Sequence, residues 1–238
     1  GAMLAFISVL WAAAPGWTAV GAGVSCRDTG RTNVYGTFIA YGGWGVKEAW
    51  ARAWVDEVYR TALSRRGIRY LCAVRGPAEV DYAGREIGNA ALANHLLTRQ
   101  RGLVIIAAHS SGSFVAHELF AELAAMEPGG PALLRRVVYY DLDGGESGLT
   151  PEIVDQLRRA YFVYAEDSTT GTLSANAATM MALGARYASA GGVLEVNAAR
   201  SGCAVGAKWC LHDAVVTKPP NNPETFDLEK DYQGLSER

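Results

Sequence analysis

A chain of 238 residues has room for one domain of generous size. Half of it is hydrophobic and only 19% charged, with a formal net charge of −2 spread over both signs, so it can bury a large core rather than stay disordered. That balance also argues against nucleic acid and against an anionic membrane surface as partners.

Gly1–Met3 read as a cloning remnant and are left out of the fold. The following "LAFISVLWAAAPGWTAVGAG" is similar in composition to a signal-peptide core, but no Lys or Arg precedes it, and Pro15-Gly16 break the run well short of a membrane span. "FISVLWAAA-PG-WTAVGAGVSC" predicts a strand, a Pro-Gly turn and a second strand. "VYGTFIAYGG" (34–43) is β-branched, aromatic and closed by glycines, as a buried strand would be. Val46, Trp50, Trp54, Val58 and Ala62 recur every four residues and predict a helix stopped by Gly67. A strand is expected over 68–74, a helix over 85–97, a strand over 103–108 and a helix from Ser113 to Met126. "RRVVYYDL" (135–142) is the next strand, and Thr150 caps a short helix with Pro151 at its first position. A strand over 161–165, a helix capped by Ser174 and running to about Tyr187, and a strand over 192–199 complete the alternation. His212 follows it, and 218–238 form a polar, Pro/Asn-rich tail expected to wrap the surface. No repeat or linker marks a second domain, so 4–238 read as one.

Strands alternating with helices through short loops predict an α/β fold: a three-layer α/β/α sandwich with a mostly parallel central sheet. In such sheets reactive groups gather beyond the carboxyl ends of the strands. The four cysteines, Cys26, Cys72, Cys203 and Cys210, include no CxxC pair and no neighbouring His cluster, which argues against zinc. Cys203 and Cys210 are near enough to close a short loop, leaving Cys26 for Cys72; four buried free thiols are the alternative. Two disulfides would put the chain in a secreted or periplasmic setting, with the cytoplasm left open.

The chemistry concentrates after the 103–108 strand. Ala108-His109-Ser110-Ser111-Gly112 has small residues two before and two after Ser110, which a tight strand-to-helix turn presenting a nucleophile requires. A catalytic serine needs a base. Of the four histidines, His95 falls within a helix, His109 should diverge from its neighbour at a sharp turn, and His117 lies two turns into the next helix. His212, after the final strand, remains. Asp167 (with Glu166) after "YFVYA", and Asp141 or Asp143 after "VVYY", are the candidate acids, although "DGG" at 143–145 also reads as turn chemistry. The N–H groups of Gly43 and Trp44 in "AYGGWG" are candidate oxyanion donors, and Trp44 a candidate substrate-binding residue. "GAGVSC" lacks the third glycine of a dinucleotide loop, "HELFA" lacks the second His of a zinc helix, and there is no P-loop.

In the order Ser, acid, His on successive strand ends, the chain from about Val34 to His212 resembles the α/β-hydrolase superfamily. "AHSSG" is similar to the Ala-containing elbow of its small bacterial lipases, and "YGG" stands where many members carry His-Gly, with Tyr41 departing from that His. The resemblance implies Ser110 as nucleophile, His212 as base, Asp167 as the acid with Asp143 as the alternative, and Ser111 and Gly43 as oxyanion donors. It implies acyl transfer with no metal or organic cofactor. Fewer than twenty residues separate Leu142 from Tyr161, too few for the cap domain many members insert there. The expected substrate is therefore a small-molecule or lipid-like ester in an open site, with no stable membrane insertion. An amidase, peptidase or acyltransferase using the same triad, and a non-catalytic binding protein on this scaffold, are the competing readings.

Overall fold

The computed structural model describes residues 16–78, 87–99, 101–188, 191–197, 202–217 and 225–226. The Cys26–Cys72 and Cys203–Cys210 disulfides are both formed. No helix among the described residues is long and apolar enough to cross a membrane. The strand expected before Pro15, the start of the 85–97 helix and nearly all of the tail lie outside the described residues.

The strands are β1 (Thr18–Gly21), β2 (Val24–Asp28), β3 (Gly36–Tyr41), β4 (Ile68–Val74), β5 (Val104–His109), β6 (Val137–Leu142), β7 (Arg159–Asp167), β8 (Thr172–Leu173) and β9 (Val193–Asn197). They form one sheet in the order β1-β2-β4-β3-β5-β6-β7-β8, with β9 also paired to β7. The central pairs β4-β3, β3-β5, β5-β6, β6-β7 and β7-β9 are parallel; β1-β2, β2-β4 and β7-β8 are antiparallel. The segment 17–26, expected as one strand, is a hairpin, because Gly23 at φ +68° turns the chain between Gly21 and Val24. Its second strand places Cys26 directly opposite Cys72.

The apolar runs of β3, β5 and β6 are continuous because both sheet faces are covered. Ile39 and Tyr41 of β3, with Val104, Ile106 and Ala108 of β5, pack under α2 (Asn89–Arg99), α3 (Gly112–Ala125) and α6 (Ala177–Arg186). The alternate residues Phe38, Ala40, Ile105 and Ala107 face the opposite way, under α1 (Glu48–Val58) and α7 (Lys208–Thr217). Two short helices, α4 (Gly129–Leu134) and α5 (Pro151–Gln156), precede β6 and β7, and Thr150 Oγ caps α5 by accepting the Ile153 N–H at 3.3 Å.

Three expected boundaries move for local reasons. Val46 lies outside α1, because its N–H donates to Gly43 O and its carbonyl accepts from Gly76 N–H in a turn. After α1 the chain widens into one π-helical turn, Tyr59–Leu63, before Gly67 at φ +67°. Ser174 does not cap α6. Its hydroxyl points into the site described next.

Candidate active site

The serine turn sits at the carboxyl end of β5, near the middle of the sheet. Ser110 has φ +55°, in the left-handed region that non-glycine residues avoid at a cost of order 1–3 kcal/mol. The turn is pinned by Ser110 N–H donating to Leu142 O (3.1 Å) and by Ser113 N–H donating to Ser110 O (3.0 Å). The small-residue rule has a visible cause at Gly112, where a Cβ would stand 2.5 Å from Gly42 O and 2.9 Å from Tyr41 O. α3 therefore closes onto the end of β3, and the serine is thrust outward.

His212 lies on α7 rather than in a loop. Lys208–Thr217 carries the apolar pattern Leu211, Ala214, Val215, which docks the helix on the sheet and turns His212 toward the strand ends. His212 Nδ1–H donates to Asp143 Oδ2 at 2.6 Å, which leaves Nε2 as an acceptor. Asp143 is fully buried and itself sits at φ +46°, one strand from the serine, where β6 ends. Its N–H donates to Val163 O (2.7 Å), and its Oδ1 accepts the Ser174 hydroxyl (2.7 Å). Oδ2 also accepts Asn176 N–H (3.2 Å), while Asn176 Nδ2 donates back to the Asp143 carbonyl (2.8 Å). Ser174 Oγ in turn accepts from Ala165 N–H at 3.0 Å. Asp143, Ser174 and Asn176 thus fix one carboxylate in one orientation behind the imidazole.

The acid favoured from the sequence, Asp167, is not brought to His212. Its Oδ1 accepts the Thr169 hydroxyl (2.7 Å) and the Thr169 N–H (3.0 Å), closing the turn from β7 into β8. Those bonds, the hydroxyl first, hold its pKa below the ordinary carboxylate value. The carboxylate that meets His212 is that of Asp143, which reaches back from a left-handed turn immediately beyond β6 that the "DGG" composition presents as a plain turn. Asp141 is buried within β6; its Oδ1 accepts Gly144 N–H (3.1 Å), and burial pushes its carboxyl well above the usual range.

His109 belongs to the site, contrary to expectation. It is buried, and its Nε2–H donates to the backbone carbonyl of His212 at 3.0 Å, with the two rings 4.5 Å apart. Burial first, and the facing His212 second, lower its pKa from 6.5 to about 4, so it stands as a neutral ring. His117 is internal: Nδ1–H donates to Ser147 O (2.7 Å) and Nε2 accepts the Tyr139 hydroxyl (2.9 Å). His95 falls on α2.

Ser110, Ser111, His109, His212, Gly43 and Trp44 all line one cavity of about 660 Å³, a volume ordinary for a small-molecule site. A Cβ on Gly43 would stand 3.1 Å from Ser110 Cβ and 3.2 Å from His109 O, so that backbone approaches the serine closely. The N–H groups of Gly43, Trp44 and Ser111 donate to no protein oxygen among the described residues. One ligand atom each from His109, His212 and Asp213 lie within 4.8 Å of one another, but His109 Nε2 and His212 Nδ1 already hold hydrogen bonds.

No family model and no curated protein matches the chain. Solved structures do. Esterase B from Lactobacillus rhamnosis, in a structure with a tributyrin phosphonate, is similar at TM-score 0.55 and 12% identity over 90% of this chain and 80% of that one. A second structure of that esterase gives TM-score 0.56 at 12% identity, covering 90% of this chain and 82% of the other. A predicted CIB-like hydrolase from Thermoplasma acidophilum gives TM-score 0.50 at 14% identity, covering 86% and 90%. With a mostly parallel sheet, helices on both faces and these structural neighbours, the chain has the α/β-hydrolase fold.

Proposed function

We propose that the protein is a serine hydrolase that cleaves carboxylic esters through an acyl-enzyme, with Ser110 as nucleophile, His212 as base and Asp143 as the acid. The observation that carries this reading is a strained serine sharing one cavity with an imidazole whose far nitrogen is bonded to a buried carboxylate. The same three roles recur on unrelated folds and are recognised by geometry.

Ser110 Oγ attacks the ester carbonyl as His212 Nε2 takes its proton. The imidazolium that forms is stabilised by Asp143, whose other lone pairs are held by Ser174 and Asn176. The N–H groups of Ser111 and Gly43 would hold the tetrahedral oxyanion, a contribution of roughly 3–4 kcal/mol per donor in such sites. His212 returns the proton to the departing alcohol, and water then repeats the sequence on the acyl-enzyme. An ester is preferred to an amide because esterase B, with 12% identity and the same fold, is a structural neighbour. The two disulfides fit an oxidising compartment, hence a secreted or periplasmic protein.

A fluorophosphonate probe reads the nucleophile directly. Wild type is expected to lose ester turnover in step with covalent labelling at Ser110, and Ser110→Ala to lose both. Retained turnover in Ser110→Ala refutes the proposal.

A further inference from the structure

Of the five tryptophans among the described residues, three line the cavity that holds Ser110: Trp44, Trp50 and Trp209. Trp54 is buried in the core, and Trp17 is buried beneath the guanidinium groups of Arg27 and Arg52. Trp44 and Trp209 instead remain 59% and 60% exposed, a large apolar area to leave in water on rings held in place. Trp44 Nε1–H donates to Ala78 O at 2.9 Å, which satisfies its polar edge and fixes the ring. Trp209 packs edge-on to His212 with centroids 5.3 Å apart, and Lys208 Nζ stands 6.0 Å from its centroid. The adjoining Cys210 is tied to Cys203.

The two rings differ in their chemical address. Trp44 follows Gly43, the donor on the carbonyl oxygen, and so neighbours the acyl side of a bound ester. Trp209 touches His212, which hands the proton to the departing alcohol, and so neighbours the leaving group. Among the described residues the cavity wall is mostly apolar beyond His109, Ser110, Ser111, His212 and Asp213, with Lys208 beside Trp209.

Resting on the ester-hydrolase reading above, we propose that this cleft is built for esters with flat aromatic groups. Trp44 receives the group on the acyl side and Trp209 the group on the alcohol side. Rigid exposed indoles reward planar partners through offset or edge-to-face stacking, a gain beyond area alone.

The test compares pairs matched in size, with each rate divided by the ester's own alkaline hydrolysis rate: methyl phenylacetate with methyl cyclohexylacetate for the acyl side, and benzyl acetate with cyclohexylmethyl acetate for the alcohol side. Wild type is expected to favour the aromatic member of each pair by roughly three- to tenfold in kcat/KM, mostly through KM. Trp44→Ala should erase the first preference and leave the second, Trp209→Ala should do the reverse, and the Phe variants should retain most of each. Fluorophosphonate labelling of Ser110 in every variant checks that the machinery is intact. Equal rates within the pairs, or preferences that survive both Ala variants, overturn the proposal while leaving the hydrolase reading standing. Titration of Ser110→Ala with methyl phenylacetate and with methyl cyclohexylacetate separates the two claims. Tighter binding of the aromatic ester that is lost on adding Trp44→Ala supports the subsite even if no ester is turned over. Equal binding of the two esters overturns it.

Discussion

Asp143 and Asp167 give a paired test, because the two carboxylates do different work. In Asp143→Asn an amide oxygen that keeps the Ser174 hydroxyl leaves its nitrogen where Oδ2 stood, facing both the Asn176 N–H and His212 Nδ1. Two donors cannot face one another, so His212 shifts its proton to Nε2 and presents N–H to Ser110 instead of a lone pair. Loss of the productive tautomer is expected to lower kcat by about 10⁴-fold, or about 5.4 kcal/mol. Asp167→Asn keeps an oxygen for the Thr169 hydroxyl and N–H and touches no group in the cavity. Its kcat should stay within about twofold, with only a small loss of stability as a charge-assisted bond becomes a neutral one. Steady-state hydrolysis of a soluble ester, with urea unfolding to exclude misfolding, reads both. A folded Asp143→Asn enzyme keeping a tenth or more of wild-type kcat, or a hundredfold loss in Asp167→Asn, would refute the assignment.

Stability should fall in acid through the buried histidines. His117 has a folded pKa lowered by burial from 6.5 to about 4, so the unfolded chain takes up a proton first and the native state loses ground as pH drops from 6.5 toward 4. Between pH 7 and 5 that costs about 2 kcal/mol, so the stability gap between wild type and His117→Gln should shrink by that amount; a constant gap contradicts the account. For the disulfides, chain entropy over separations of 46 and 7 residues gives about 4 kcal/mol for Cys26–Cys72 and about 2 kcal/mol for Cys203–Cys210. Only removal of the second, which tethers α7, is expected to lower kcat as well; equal effects on kcat from both Cys→Ser pairs would discount the tether. Gly112→Ala pushes a methyl to 2.5 Å from Gly42 O, so esterase activity should drop roughly tenfold or more as the elbow shifts, and unchanged activity would show that β3 can yield.

How much of this was legible in the sequence depended on the range of the signal. The strands with continuous apolar runs were readable to within two residues or so, because burial on both faces leaves no polar interruption to misread. "IRYLCAV" is β4 from end to end. The Cys26–Cys72 pairing followed from sequence separation alone, although its cause is the cross-strand register of β2 and β4. α7 was missed as an element because ten residues between a glycine-containing loop and a proline-rich tail carry little periodic signal. Asp143 is the second choice from the sequence for a different reason: its place behind His212 rests on a left-handed backbone angle and on Ser174 and Asn176, about thirty residues away. No local pattern encodes that convergence. Ser174 reads from the sequence as the cap of α6, but its hydroxyl donates to Asp143 instead.

His109 shows most clearly what the sheet adds to the motif. Expected to turn away from Ser110, its side chain instead lines the same cavity and reaches α7. There its Nε2–H holds the carbonyl of His212, while Asp143 holds the same residue's ring through Nδ1. The two holders leave neighbouring parallel strands, β5 and β6, in register from Val104↔Val137 to His109↔Leu142. The imidazole is therefore positioned at both its backbone and its ring by the strand ends that carry the serine. α7 supplies the histidine and the apolar face that docks it, but the sheet sets where its ring lies. A helix packed by Leu211, Ala214 and Val215 could slide or roll by an ångström at little cost in buried area. Two hydrogen bonds to fixed strand ends remove that freedom, and a general base must be held to that tolerance to meet a nucleophile.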